Sequence, residues 1–510
     1  MLKMVDGSGV IGVDMICPLG GAVSTPQPPN YDKVEMEGVG SLMLPNSLKA
    51  PLERVELLGN SVQGENPAPD NPQEIKSAGR KSKNLFNISD LRVGQVQKDG
   101  TINEKQTYYR TAILDVPEDG KYRITFAENN DYNMLYFTNA YINGVYSNPY
   151  IRVHAGIPDH YITLAKGKNI LSFSTHTASG NIDFTTDHNI MITAESETID
   201  YEPYGYLLDL KVTGKNLFNA EKARDITSWI IRDGDGYAKF PIYVKKGNEV
   251  TFSYTEKLTG GKGFYLGITQ SDMGYIVGWL YHSLETNLIK NKTTVVADGD
   301  CLYLSCNKSS LKAFLDTIQT LQVEISSVQT PYEPYTEQSM QIALDEPLRG
   351  VGEYKDMLTK DGVSRKIKQI TVNEKSNVIF YSEGKNTFGY VLGVPDATPT
   401  NYTYSVISDR FVKTQYIDSN DTNGLVALFA KGIIFRVSKE IANSVDALKE
   451  WLANNNITFN YVLESPTTEP LPESVQQQLQ ALHSENGTTH VFVDSGEVPC
   501  GIKLTYRKEK

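Results

Sequence analysis

Lys83-Asn84-Leu85-Phe86-Asn87 occurs again as Lys215-Asn216-Leu217-Phe218-Asn219, and Tyr201-Glu202-Pro203-Tyr204 occurs again as Tyr332-Glu333-Pro334-Tyr335. Both pairs are offset by about 131 residues, so an opening and a closing motif have moved together. Just ahead of each closing motif, Ile190, Ile192 and Ala194 align with Leu321, Val323 and Ile325. Apolar residues at every second position read as a half-buried strand. Two equivalent modules are therefore expected, at 79–205 and 211–336.

Inside the modules, Tyr122-Arg123-Ile124-Thr125-Phe126, Ile170-Leu171-Ser172-Phe173 and Val250-Thr251-Phe252-Ser253-Tyr254 are rich in β-branched and aromatic residues. Asp119-Gly120, Asn143-Gly144, Asp235-Gly236, Gly260-Gly261 and Asp298-Gly299 punctuate them as turns. Many short strands between tight turns predict a β-sandwich of the jelly-roll kind. The fold class expected is mainly β: tandem jelly-roll-like modules with a short helix-containing C-terminal region.

Beyond the repeat, 337–356 reads as a connecting segment and 357–470 as a third, sandwich-like module. A helix is expected within it at 444–455, with Ser444 as N-cap and Val445, Leu448 and Leu452 as the buried stripe. Residues 471–510 predict a second helix, ended by Asn486-Gly487, and two strands. Ahead of the repeat, 41–78 reads as a connecting strand unit with a Pro-rich linker, Asn66-Pro67-Ala68-Pro69-Asp70-Asn71-Pro72. Residues 1–40 read as an anchoring arm: Gly and Pro content argues against an independent domain, and Val10, Ile11 and Met15 are expected to pack on another protein or a neighbouring copy.

A chain of 510 residues is too long for one ordinary domain, and 40% hydrophobic with 22% charged residues is a globular profile. Net charge is −12 and no Lys/Arg run stands out, which argues against nucleic acid and anionic membrane as partners. No stretch is long and apolar enough for a membrane span or a signal peptide. Cys301 and Cys306 lie in one strand-like segment at an odd offset, on opposite faces, which disfavours a disulfide or a shared metal. All four cysteines read as free thiols.

Catalytic and metal motifs are scarce. Gly7-Ser8-Gly9-Val10-Ile11-Gly12 has the spacing of a dinucleotide loop but lacks a preceding strand and a following helix. Asp233-Gly234-Asp235-Gly236 reads as a turn in preference to a calcium loop. No zinc or nucleophile-elbow motif is present, and nothing selects an acidic pair of the glycosidase kind from 61 carboxylates. No catalytic residue, metal site or cofactor is expected. The notable excess is Tyr, with 30 residues. Tyr132, Tyr136, Tyr141, Tyr146 and Tyr150 gather in the first module among Asn and Gly, and Phe264, Tyr265, Tyr275, Trp279 and Tyr281 in the second. An aromatic face suits the C–H side of a sugar, and it equally suits a core or a subunit interface. The candidate carbohydrate contacts are Tyr132, Tyr136, Tyr141, Tyr146, Tyr150, Trp279 and Tyr281.

The Gly-Lys-Asn-Leu-Phe-Asn opening at Gly214, the Tyr-Glu-Pro-Tyr closings and the segment Glu346 to Asp356 resemble tail-fibre and receptor-binding (minor structural) proteins of phages infecting Gram-positive bacteria. So does Pro466-Thr467-Thr468-Glu469-Pro470-Leu471, followed by Ala481-Leu482-His483. The resemblance spans about 42–510; Ser82 departs from it, standing where Gly is usual. It implies carbohydrate-binding-like jelly rolls and a place in the virion, at the tail tip or baseplate, after assembly in the host cytoplasm. It further implies attachment to other tail or baseplate proteins through the N-terminal arm, host cell-wall polysaccharide as receptor, and a homo-oligomer such as a trimer. The alternatives are a tail-associated polysaccharide depolymerase and a virion decoration protein without receptor contact.

Overall fold

A computed structural model of the chain describes residues 31–125, 134–154, 160–174, 176–177, 180–181, 189–197, 200–232, 234, 236–255, 265–282, 292–317, 319–399, 405–414, 417 and 421–510, together with a two-rung ladder between Val5–Asp6 and Gly9–Val10. The fold is mainly β, built from sheets that are antiparallel save for one parallel pair among the described residues, Val412–Lys413 beside Leu425–Phe429, in keeping with sandwich modules.

Segments scattered along the chain converge on one twelve-stranded sheet. Its order is Glu337–Leu344, Tyr206–Thr213, Gly487–Asp494, Ser41–Ser47, Gly501–Glu509, Arg54–Leu58, Met357–Thr359, Gly362–Val372, Ile457–Glu469 and Val406–Ser408. Tyr31–Val39 also pairs with Gly501–Glu509, Tyr31 opposite Glu509, and Arg80–Lys81 pairs with Tyr206–Thr213. Period-two alternation explains one face: Leu42 and Leu44, Leu208, Leu210 and Val212, Ile342 and Leu344, Val491 and Val493, Ile502 and Leu504 are buried together. The helix Glu473–Ala481 covers this face with Leu479 and the flanking Leu471 and Leu482. That helix stops at Ala481, short of Asn486-Gly487, because Leu482 is extended and His483–Ser484 pairs with Ala50–Pro51.

This sheet revises the linear division. Residues 31–39 of the expected arm are a strand, and the connecting segments 41–78 and 337–356 share one core with 471–510. The Pro-rich stretch is also docked. Gln73 N donates to Asp409 O at 2.6 Å, Gln63 Nε2 to Phe411 O at 2.9 Å, and the Arg410 guanidinium to Pro69 O. The two modules are thus inserted between strands of a common scaffold. Residues 11–30, with most of the expected arm, lie outside the described residues.

The two modules have one strand order. In the first, the larger sheet runs Arg92–Val93, Tyr109–Val116, Gly167–Ser174, Met134–Ile142, with Val145–Ser147 and Ile151–His154 both beside the last. The smaller runs Tyr161–Leu164, Gly120–Thr125, Met191–Ala194. In the second, the larger runs Ile230–Ile231, Tyr237–Tyr243, Cys301–Asn307, Tyr265–Thr269, Ile276–His282 and the smaller Lys292–Val296, Glu249–Ser253, Gln322–Ile325. The facing apolar sides of each pair of sheets enclose a core, around Phe137 and Phe173 in one and Phe240 and Phe252 in the other. Cys306 belongs to the second core, where burial pushes its thiol up to about 12; Cys301 lies on the opposite face.

The repeated motifs close these sandwiches. Asn84 accepts from Phe86 N at 2.9 Å and Ile192 N at 3.1 Å, and donates to Ile190 O at 3.0 Å and Glu202 O at 3.1 Å. Asn216 repeats this with Phe218 N at 3.0 Å, Val323 N at 3.0 Å, Leu321 O at 3.3 Å and Glu333 O at 3.0 Å. One amide therefore ties the opening motif to the last strand and to the closing motif. Phe86 and Phe218 then enter the cores, while Asn87 and Asn219 cap short helical turns.

In the third unit, Gly362–Val372 and Ile457–Glu469 face a second, five-stranded sheet across the core around Phe411, Phe435 and Phe459. The helix Val445–Leu452 is capped by Ser444, whose Oγ accepts from Ala447 N at 3.1 Å, and it buries Leu448 and Leu452.

Where the second module meets the scaffold, His490 is buried in a small cavity of about 160 Å³ with Met43, Phe492, Lys245 and Ile325. Its ring lies parallel to Phe492, at 6.1 Å between centroids. Burial depresses the imidazole from 6.5 to about 4. The folded state therefore favours the neutral ring. The associated stability is intact above pH 6.5 and is lost as pH falls toward 4, since only the unfolded chain then takes up the proton. The loss amounts to about 3 kcal/mol. Urea unfolding at several pH values should show this component in the native chain and not in His490→Gln. An equal pH slope in both would refute it.

Candidate functional site

In the first module the larger sheet turns Leu135, Phe137 and Ala140 into the core, and the pleat sends the intervening residues outward. A register shift between Phe137 and Asn139 keeps Tyr136, Asn139 and Tyr141 on the same outer face. Tyr141 stands opposite Tyr146 across the hairpin, and Tyr136 opposite Arg152. Tyr150 completes the group: its ring centroid is 6.1 Å from that of Tyr136, and the Arg152 guanidinium lies 5.5 Å from Tyr150 and 5.8 Å from Tyr136. Sequence placed Tyr136, Tyr141, Tyr146 and Tyr150 in one cluster, and the structure brings them onto one face. Tyr132 lies outside the described residues.

The centre of this face is closed by a short hairpin, Gln95–Val96 with Ile102–Asn103. Val96 N donates to Ser172 Oγ at 2.8 Å, and Thr111 Oγ1 donates to Gly94 O at 2.7 Å. The hairpin turn lies against Tyr141. Gly100 has φ +80°, and a Cβ there would meet the Tyr141 ring at 2.8 Å, so only Gly fits. Tyr141 is thereby committed to packing. The Tyr146 hydroxyl accepts from Asn139, which also donates to Asn148 Oδ1 at 2.6 Å. Tyr136, half-buried, and Tyr150, 57% exposed, form the remaining pair of rings, with Arg152 beside both.

The second module presents the equivalent face with different residues. Ala238, Phe240 and Ile242 enter the core, so Tyr237, Lys239, Pro241 and Tyr243 point outward. Trp279 lies on this face beside Tyr265, with ring centroids 6.0 Å apart. Gly267 makes room for it: a Cβ there would come within 3.2 Å of the indole and 2.6 Å of Ile276. Lys239 is buried beneath the following turn and donates from Nζ to Met273 O at 2.8 Å. Tyr243 and Tyr275 are 67% and 94% exposed. Tyr281 stands opposite Leu266 in the ladder; its side chain lies outside what is described.

Arg152 and Tyr243 were missed by sequence. Arg152 has no local signal, since its relation to Tyr136 is set by strand pairing. Tyr243 was legible in the alternation of Tyr237, Lys239, Pro241 and Tyr243, which marks one face of one strand. Among the described residues no group of three or more His, Cys, Asp or Glu is placed to hold a metal ion, and no helix is long and apolar enough to cross a membrane. Asp233 and Asp235 lie outside the described residues.

No family model matches the chain, and no curated protein matches it. Among solved structures, it aligns with the structure of the infectious bursal disease virus Gx strain at 9% identity, over 96% of this chain and 85% of that one, with a TM-score of 0.07. It aligns with the VP2 subviral particle of infectious bursal disease virus at 10% identity, over 85% and 84% of the two chains, also with a TM-score of 0.07. Likenesses at this level carry no argument about function.

Proposed function

We propose that the chain is a non-catalytic component of a bacteriophage tail, in which the two jelly-roll modules hold glycans of the host surface. The supporting observation is the shared outer face of the larger sheets, which carries accessible aromatic rings next to hydrogen-bonding groups in both modules. Tyr136 and Tyr150 with Arg152 form one such patch, and Tyr265 and Trp279 the other, with the exposed Tyr275 in the turn that joins their strands. A ring packs on the C–H side of a sugar while amides and hydroxyls take its polar edge. Two patches on one scaffold, repeated in several copies on a particle, would make weak single sites sufficient. Attachment to the particle falls to the N-terminal region in this reading, and the receptor is a cell-wall polysaccharide.

The test is binding of the purified chain to wall polysaccharide from a susceptible host. Tyr150→Ala and Tyr275→Ala, both at exposed positions, are expected to weaken binding by roughly fivefold each without changing the unfolding temperature. Trp279→Ala should weaken it by about tenfold or more. Unchanged affinity in a folded triple variant would remove the faces from the account. Release of oligosaccharides by the native chain, abolished by one Asp or Glu substitution, would replace it with a depolymerase.

A further inference from the structure

The third unit has a groove of about 370 Å³, formed where its two sheets part at one end. Its volume falls within the range of sites that hold small molecules. The groove has two chemically distinct sides. Ile370 and Leu392, at the open edge of the core, and the buried Val394 form the apolar one. The polar side centres on Asp396. Lys368 Nζ donates to its Oδ2 at 2.6 Å, and the buried Tyr461 hydroxyl donates to its Oδ1 at 2.7 Å.

This polar side is held rigidly. Lys368 and Tyr461 are directly opposite each other on adjacent strands. The turn that carries Asp396 is fixed by Val394 N donating to Lys431 O at 2.8 Å, Ala397 N to Val394 O at 3.0 Å, and Glu464 N to Asp396 O at 2.9 Å. The Lys368 and Asp396 side chains nevertheless stay 49% and 40% exposed, so ammonium hydrogens and carboxylate lone pairs remain open to a ligand. Ser376 and Asn377 add polar groups at the rim.

We propose that this groove binds one neutral sugar residue, whose vicinal diol bridges Asp396 and Lys368 while its C–H side lies on Ile370 and Leu392. A diol supplies in one unit a donor for the carboxylate and an acceptor for the ammonium. A ligand with net charge gains little, because the two protein charges already neutralise each other and one contact would be repulsive. The site uses none of the aromatic residues of the two jelly-roll modules, so it stands or falls separately from them.

The experiment is saturation-transfer NMR on the full chain with methyl β-D-glucopyranoside, its fully O-methylated derivative and glucuronate, each at millimolar concentration. The native chain should transfer saturation to the glucoside and not to the derivative. Lys368→Met and Asp396→Asn, both at half-exposed positions, should each reduce it by about tenfold, for one lost charge-assisted contact. Lys312→Ala, at an exposed position of the second module outside both candidate faces, should leave it unchanged. Two variants guard against a fold defect, which thermal unfolding would reveal. The proposal is overturned if no glucoside signal appears, if the signal survives both groove substitutions, if Lys312→Ala abolishes it equally, or if glucuronate gives the stronger transfer.

Discussion

Asp356→Ala is expected to destabilise the scaffold by about 3–5 kcal/mol, the largest effect of any single exchange considered. Asp356 is fully buried, and its carboxylate accepts from Arg349 N at 3.0 Å, Lys366 N at 2.8 Å and Ile367 N at 2.9 Å. The Arg365 guanidinium approaches it at 3.4 Å and is itself only 4% exposed. Arg365 also donates to Pro347 O at 2.8 Å and to Glu346 O at 3.0 Å, and pairs with Glu469 at 2.8 Å. Burial raises the Asp356 carboxyl above its ordinary range, against the opposing pull of these donors. Removing the carboxylate leaves three backbone N–H groups and part of a guanidinium unsatisfied where water cannot reach them. Calorimetry should show the scaffold transition fall steeply or vanish. A shift worth less than about 1 kcal/mol would mean that solvent or a neighbouring group replaces the carboxylate.

Asn216→Ala should cost the second module about 3 kcal/mol, and Asn84→Ala the first module a similar amount. Each exchange strands four backbone groups, because each amide uses all of its hydrogen-bonding capacity on the chain around it. Each module has its own core, so the damage should be local. Hydrogen exchange by mass spectrometry should show faster exchange across 214–335 in Asn216→Ala and across 82–204 in Asn84→Ala, with the other module unaffected. Uniform loss of protection throughout the chain would contradict the separate closure of each module.

These two sites bear on how much the sequence disclosed. The repeat was legible because Asn84 and Asn216 make the same four hydrogen bonds, within the same flanking residues. Strand order was not legible, yet alternation at Ile190, Ile192 and Ala194 correctly marked the strand the amide holds. The stretch Glu346 to Asp356, notable in the sequence only as a resemblance, supplies Arg349 and Asp356 to a buried network completed by Arg365. The motifs that invite a functional comparison therefore serve the fold, and they say little about ligands. What sequence could not give was the twelve-stranded sheet. Tyr31 pairs with Glu509 and Ser41 with Phe492, and alternation within a strand carries no mark of which distant segment it pairs with. The division into an arm, connectors and a C-terminal segment failed for that reason. At the candidate face the Tyr cluster was legible from composition. Its partition into the packed Tyr141 and the accessible Tyr150 was not, since it depends on Gly100 in a hairpin some forty residues away, a separation open to view only in the fold.

The most direct test of the proposed function is the position of the chain on an intact particle. Antibody raised against the second module and imaged by electron microscopy on phage particles that contain the chain should label the distal end of the tail, and antibody-treated particles should fail to adsorb. Label confined to the head or the tail shaft, with adsorption unimpaired, would contradict the account.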